Sequence, residues 1–160
     1  MEKVYLRTKN SLLRAFLFIG ICVALASCFD KGDCLITNTN LVRVGIKDAT
    51  TPANAKPVDF ISIHIPGKGI LYQDQKGLSS LNLLVDPTLT ETEFVFQYGS
   101  RSDTLVLAYT SQTIVLSTDC GSFNFQNDLE VKYSTFGENK VIVRNRRLLT
   151  SVTLNVEILL

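Results

Sequence analysis

The sequence has 160 residues and a formal net charge of +1, from 16 basic and 15 acidic side chains. This balance excludes the strongly basic surface that nucleic-acid binding needs, so we expect no nucleic-acid partner. The length suits one domain with its own core and is short for two.

Residues 1–27 have the pattern of a lipoprotein signal peptide. The segment opens with four basic side chains, Lys3, Arg7, Lys9 and Arg14, and residues 15–27 carry no charge. As a helix, this uncharged run would span roughly 20 Å, against about 30 Å of bilayer hydrocarbon. It is too short for a comfortable membrane span but typical of a leader that is removed from the mature protein.

The leader ends in Leu-Ala-Ser before Cys28, which resembles a bacterial lipobox. The resemblance implies cleavage before Cys28 and attachment of a diacylglyceryl group to its thiol. It also implies fatty acyl groups such as palmitate, and several chains together hold a protein on a membrane durably. Phe29 follows, which by resemblance to other diderm lipoproteins permits sorting to the outer membrane and leaves its periplasmic or outer face open. The alternative is an ordinary secretory signal in which Cys28 is incidental.

After cleavage, residues 28–34 form the lipidated anchor and a short tether, and residues 35–160 form a single domain. Loss of the leader removes four basic and one acidic side chain, which leaves a net charge of −2. Anionic lipid headgroups would therefore not attract this domain.

Three cysteines remain in the mature chain: Cys28, Cys34 and Cys120. If Cys28 carries lipid, Cys34–Cys120 is the intramolecular disulfide that an oxidising compartment allows. It would close a loop of about 85 residues and stabilise the fold by roughly 4 kcal/mol before strain. It would also hold the domain close to the bilayer, since six residues reach at most about 20 Å. The alternatives are two buried free thiols, or one thiol kept for a partner.

Alternating apolar and polar residues predict strands through the rest of the chain. In chain order they are expected at 41–46, 60–65, 70–73, 81–85, 93–98, 103–109, 113–118, 129–134, 141–147 and 151–159. Turn-forming residues separate many of them, and no sustained helical period occurs in the mature chain. The pattern predicts an all-β fold, an antiparallel β-sandwich, with immunoglobulin-like connections as one possible arrangement.

Several segments resemble a family of small lipoproteins of Bacteroidota-type bacteria, the domain of unknown function 6452. They are the pair Cys28 and Cys34, the segments 90–94 (Thr-Glu-Thr-Glu-Phe), 103–109 (Asp-Thr-Leu-Val-Leu-Ala-Tyr) and 117–121 (Ser-Thr-Asp-Cys-Gly), and the terminal strand 152–160. The resemblance implies an envelope lipoprotein and supports the disulfide. It implies no activity.

Catalytic and metal sites have little support in the sequence. Histidine is a common general base, but no nucleophile or orienting carboxylate is evident beside His64, so a solvated or hydrogen-bonded histidine is the simpler interpretation. Two cysteines and His64 cannot supply four zinc ligands without carboxylates. Glycine-rich phosphate loops are also missing, and we expect no cofactor, no metal and no enzyme.

Two groups of side chains could contact a glycan or an anion. Arg144, Arg146 and Arg147 suit anion or glycan recognition, but charges that guard an exposed strand are the favoured explanation. The aromatic residues at 94, 96 and 98 and at 123 and 125 could form a sugar platform. Strict alternation favours a core position for the first three.

Asp103-Thr104-Leu105 looks like the short sequence that such bacteria O-glycosylate in exported proteins, which makes Thr104 a candidate for modification. Alternatively, Thr104 only begins a strand. Together the observations predict a non-catalytic, membrane-anchored envelope lipoprotein that interacts with an envelope protein or a glycan. A surface glycan-binding domain is the alternative, and an enzyme using His64 is a weaker one.

Overall fold

The computed structural model describes residues 39–117 and 120–160. Nine strands lie in these residues: β1 (Leu41–Lys47), β2 (Val58–Ile65), β3 (Gly69–Leu78), β4 (Ser80–Leu84), β5 (Glu91–Tyr98), β6 (Arg101–Ser117), β7 (Gly121–Ser134), β8 (Val141–Val143) and β9 (Val156–Leu159). No helix in this part of the chain is long and apolar enough to cross a membrane. The leader and tether assigned to residues 1–34 lie outside the described residues.

The strands form two sheets that pack together as a β-sandwich, as the alternating pattern predicts. The four-stranded sheet has the order β4-β1-β9-β8, and the five-stranded sheet has the order β3-β2-β5-β6-β7. Pairing is antiparallel except between β1 and β9, which run parallel. The order differs from the ABED and CFG sheets of an immunoglobulin domain, because β2 and β3 here pair within one sheet.

An apolar core fills the space between the sheets. Val42, Val44 and Ile46 point inward from β1 and are at most 1% exposed, because successive strand residues alternate between the two faces. Phe94 and Phe96 are fully buried on β5, which confirms their predicted core position. The ring of Phe96 packs edge-on against that of Phe136, with 5.2 Å between the centroids. Tyr98 is partly exposed at the end of the same stripe.

Strand β6 departs most from the expected boundaries. The two strands predicted at 103–109 and 113–118 are one continuous strand, Arg101–Ser117. The residues between them, Thr110, Ser111 and Gln112, include no glycine or proline, and Ser111 and Gln112 pair with Gln126 and Phe125 of β7. Pairing with β7 therefore continues through the expected gap and lengthens the hairpin.

The carboxy-terminal strands are shorter than expected. Strand β8 ends at Val143, because the backbone N–H groups of Arg144 and Asn145 donate to the Asn155 carbonyl oxygen at 2.7 and 3.2 Å. These bonds fold residues 144–155 into a loop that leads into β9.

Candidate functional site

The β6–β7 hairpin extends beyond the sandwich. Strand β5 ends its pairing at Glu91 opposite Ala108, whereas β6 continues to Ser117 against β7. We call residues Thr110–Ser117 and Gly121–Asn127 the arm. At about 3.3 Å per residue, the arm is roughly 25 Å long. We call the end of the sandwich from which it extends the arm end.

The two faces of the arm differ in polarity. Ile114 lies opposite Phe123, and Gln112 lies opposite Phe125, so that Ile114, Phe123 and Phe125 share one face, here the apolar face. Ile114 is 39% exposed and both phenylalanines are partly exposed. The other face carries mostly polar side chains together with Val115, which is 72% exposed, and there the Thr113 hydroxyl donates to Asn124 Oδ1 at 2.7 Å.

The arm carries no Asp, Glu, Lys or Arg, although 19% of the chain is charged. Its side chains are serine, threonine, asparagine, glutamine and apolar types only. The two strands of the arm are therefore uncharged, and the segment that joins them in the sequence carries one acidic residue, Asp119.

The start of β1 lies beside the base of the arm. The Thr39 N–H donates to the Leu148 carbonyl oxygen at 3.1 Å, and the Leu148 N–H donates to the Gln126 carbonyl oxygen at 3.2 Å. The Val85 N–H donates to the Asn40 carbonyl oxygen at 2.9 Å. The polypeptide that precedes β1 therefore joins the sandwich at the arm end.

The loop of residues 86–90 supports the base of the arm. The Tyr109 hydroxyl donates to the Asp86 carbonyl oxygen at 2.7 Å, and the Ser111 hydroxyl donates to the Pro87 carbonyl oxygen at 2.8 Å. The Asp86 carboxylate pairs with Lys68 and accepts from the Thr88 N–H. The Lys68 ammonium and the Thr88 hydrogen bonds hold the pKa of Asp86 well below its ordinary value.

An apolar cavity of about 340 Å³ opens at the arm end between the β2–β3 turn and the loop after β4. Its apolar lining includes Ile65, Ile70, Leu71 and Leu84, and Lys68 and Asp86 also border it. Ile70 and Leu84 are themselves exposed. Beside the arm, a more polar depression is lined by Asp128, Glu130, Lys132 and Arg146.

His64 and Thr104 lie in the same row of the five-stranded sheet, on either side of Val95. His64 is partly exposed on β2, opposite Val95 of β5 and Ile70 of β3. Thr104 lies inside β6, partly exposed, and its N–H donates to Thr135 Oγ1 at 2.8 Å. It is therefore within the strand and does not begin it. No group of three potential metal ligands occurs in the described ranges.

The described cysteine and the three arginines lie in different parts of the fold. Cys120 lies between β6 and β7, at the far end of the arm, and its N–H donates to Ser117 Oγ at 3.0 Å. Cys28 and Cys34 lie outside the described residues, so the disulfide and the lipidation stay predictions. Arg144 pairs with Glu157, with Nε 2.7 Å from Oε2, while Arg146 and Arg147 are exposed.

The sequence did not predict the arm. It also did not predict that Thr39, Leu148 and the loop of residues 86–90 meet at the base of the arm. The strand pattern at 113–118 was evident, but pairing partners and the end of β5 are properties of the folded sheet. One signal was present in the sequence: no glycine, proline or acidic residue interrupts residues 104–117.

Comparison with protein families matched the model of a family of unknown function, DUF6452, over residues 60–160. Comparisons with curated proteins and with solved structures found no match. The matched region runs from β2 to the end of the chain and includes the arm, the loop of residues 86–90 and Cys120. The chain belongs to the DUF6452 family.

Proposed function

We propose that this chain is a lipid-anchored lipoprotein of the bacterial cell envelope, on the outer membrane, and that its β-sandwich is a non-catalytic interaction or accessory module. The basic start, the uncharged run and the lipobox-like residues before Cys28 support the anchor. The partner of the module is another envelope protein close to the membrane.

The observation that carries the interaction role is the concentration of exposed apolar side chains at the arm end. Among the described residues, seven large apolar side chains are exposed. Five of them lie on the arm or around its base: Ile70, Leu84, Leu89, Ile114 and Val115. Exposed apolar side chains that cluster in this way are typical of an interaction site.

The position of this surface supports a partner near the membrane. The chain that follows the tether joins the described sandwich at Thr39 and Asn40, which lie at the arm end. A lipid at Cys28 would therefore hold the arm end, where Asn40 borders the apolar cavity, within about 40 Å of the membrane. Other envelope proteins present their membrane-proximal segments in that same zone.

The anchor is tested by labelling growing cells with radioactive palmitate. The wild-type chain is expected to incorporate label and to fractionate with membranes, whereas Cys28→Ala is expected to lose both. Cys22→Ala is the matched control, because Cys22 lies in the same leader and is removed with it. Membrane retention of an unlabelled Cys28→Ala protein would contradict the proposal.

The interaction role is tested with a photo-crosslinking amino acid in intact cells. Placed at Leu89, which is exposed beside the base of the arm, it is expected to join one defined envelope protein. Placed at Ser100, which is exposed in the β5–β6 turn at the opposite end of the sheet, it is expected to give no such product. Equal products at the two positions would argue against a binding surface at the arm end.

Two other functions stay predictions from the sequence. A glycan-binding domain would need an exposed aromatic platform: Phe94 and Phe96 lie in the core, whereas Phe123 and Phe125 are partly exposed on one face of the arm. An enzyme using His64 would need partner groups beside its imidazole, and its cross-strand neighbours are the apolar residues Val95 and Ile70.

A further inference from the structure

We propose that the arm lies on the bilayer surface, with its apolar face, Ile114, Phe123 and Phe125, in the interfacial layer of the membrane that holds the lipid anchor. This inference rests on the proposed lipid anchoring. It assigns the apolar face of the arm to lipid, whereas the exposed residues around its base, Ile70, Leu84 and Leu89, remain the surface for a protein partner.

The arm has the composition of a membrane-surface element. It holds no formal charge, and one face of the ribbon presents one aliphatic and two aromatic side chains. Aromatic side chains are favoured at the boundary between headgroups and acyl chains. Transfer of such a face from water to that boundary is favourable because apolar surface leaves water.

The chain between Cys28 and Thr39 is long enough for the arm to contact the membrane that holds the anchor. Eleven residues separate Cys28 from Thr39 along the chain, which span at most about 40 Å when extended. Thr39 lies beside the base of the arm through the Leu148 and Gln126 backbone bonds. The arm is roughly 25 Å long, which is less than this reach, so a lipid on Cys28 could lie beside any point of the arm. If the Cys34–Cys120 disulfide forms, Cys28 is within about 26 Å of Cys120, from roughly 20 Å of chain and about 6 Å across the disulfide.

The backbone of the arm limits how deep it enters. Beyond Tyr109, β6 in the described residues pairs with β7 alone, so one row of its N–H and C=O groups has no neighbouring strand. Unpaired backbone groups are costly in hydrocarbon but are satisfied by water and headgroups at the surface. The arm therefore lies in the interfacial layer and does not cross the bilayer.

The absence of tryptophan from the sequence allows a direct test. The lipidated Phe123→Trp protein is reconstituted into vesicles of phosphatidylethanolamine and phosphatidylglycerol in which part of the lipid carries brominated acyl chains. Its single tryptophan is expected to shift its emission to the blue and to lose most of its intensity through contact with bromine. Phe125→Trp, at the neighbouring position of the same face, is expected to behave alike.

Tyr133→Trp is the matched control, since Tyr133 is exposed on β7 within the sandwich, away from the arm. Its emission is expected to change little on brominated vesicles. Equal quenching of all three tryptophans, or no quenching at 123 and 125, overturns the inference.

Flotation of the same vesicles separates the two proposals. If the proteins do not float with the lipid, the anchoring itself is wrong. If they float but the tryptophans at 123 and 125 stay unquenched, the anchor stands and the arm does not contact lipid.

Discussion

The buried side chain of Asn155 connects strand β1 to the loop that follows β8. It is fully buried, its Oδ1 accepts from the Arg43 N–H at 2.9 Å, and its Nδ2 donates to the carbonyl oxygens of Asn145 and Arg147 at 3.2 and 2.9 Å. Its side chain thus joins β1 to the loop of residues 144–155. The same loop carries Leu148, whose backbone links Thr39 to the arm.

We expect Asn155→Ala to lower the free energy of unfolding by about 2–3 kcal/mol, because it leaves buried backbone donors and acceptors without partners. Urea denaturation followed by circular dichroism measures the change. Asn82→Ala, at an exposed position on β4, is the control and should stay within about 0.5 kcal/mol of the wild type. Equal stability of the two variants would mean that the Asn155 network contributes nothing net.

Asp103 is a second buried polar residue, at the end of the sandwich opposite the arm. It is 5% exposed, accepts from the Tyr98 hydroxyl at 2.5 Å and from the Thr135 hydroxyl at 3.0 Å, and pairs with Arg101. Burial and the bond to Asp103 raise the pKa of the Tyr98 phenol above its ordinary value. The neutral phenol therefore stabilises the fold below about pH 10, and this contribution is lost as the pH rises further.

At the level of the strands, the base of the arm contains a buried amide group without a hydrogen-bond partner in the described residues. Gln126 is 2% exposed, and its Nε2 has no hydrogen-bond partner in the part of the chain that the structure describes. An unsatisfied buried amide group destabilises a fold, because it has given up water without replacement.

We therefore expect Gln126→Leu to raise the free energy of unfolding by about 1 kcal/mol, since an apolar side chain of similar size needs no partner there. Gln112→Leu, an exposed position on the same hairpin, is the control and should leave stability nearly unchanged. Chemical denaturation of both proteins checks the difference. A loss of stability in Gln126→Leu would indicate that its amide is satisfied by water.

The elements themselves were largely predictable, because period-two alternation is a local property. Val42, Val44 and Ile46 were expected on one face of a strand, and all three are buried in the core. The arm was not predictable, since its extension depends on where β5 stops opposite Ala108. The early end of β8 likewise depends on Asn155, which lies twelve residues further along the chain.

At the scale of the whole molecule, carboxylates at the two ends of the sandwich make stability depend on pH. Asp86 is held by Lys68 and Thr88, which lower the pKa of its carboxyl group. Asp48 at a β1 turn has a pKa lowered to about 2 by hydrogen bonds from Thr50 and Thr51. Both carboxylates have an unfolded pKa near 3.9, so their stabilising contributions are present above about pH 4 and are lost as the pH falls.

We expect unfolding midpoints to decrease as the pH falls from about 4 towards 2, and Asp86→Asn to make this decrease shallower. Lys68→Met should act in the same direction, because it removes the cation that lowers the pKa of Asp86. Thermal melts across that pH range measure both. An unchanged slope in the two variants would show that other groups control acid stability.

The predicted Cys34–Cys120 disulfide would connect the tether to the far end of the arm, and so would add a covalent link to a hairpin that hydrogen bonds hold at its base. A loop of about 85 residues predicts roughly 4 kcal/mol of stabilisation, with strain subtracted. We expect a reductant to lower the unfolding midpoint of the oxidised mature protein, and to have no effect on Cys120→Ser. Cys34→Ser should match Cys120→Ser, because each removes the same bond. If reductant leaves the wild type unchanged, the two thiols are unlinked, and the contacts of the arm with Thr90, Pro87 and Leu148 hold it without a covalent bond.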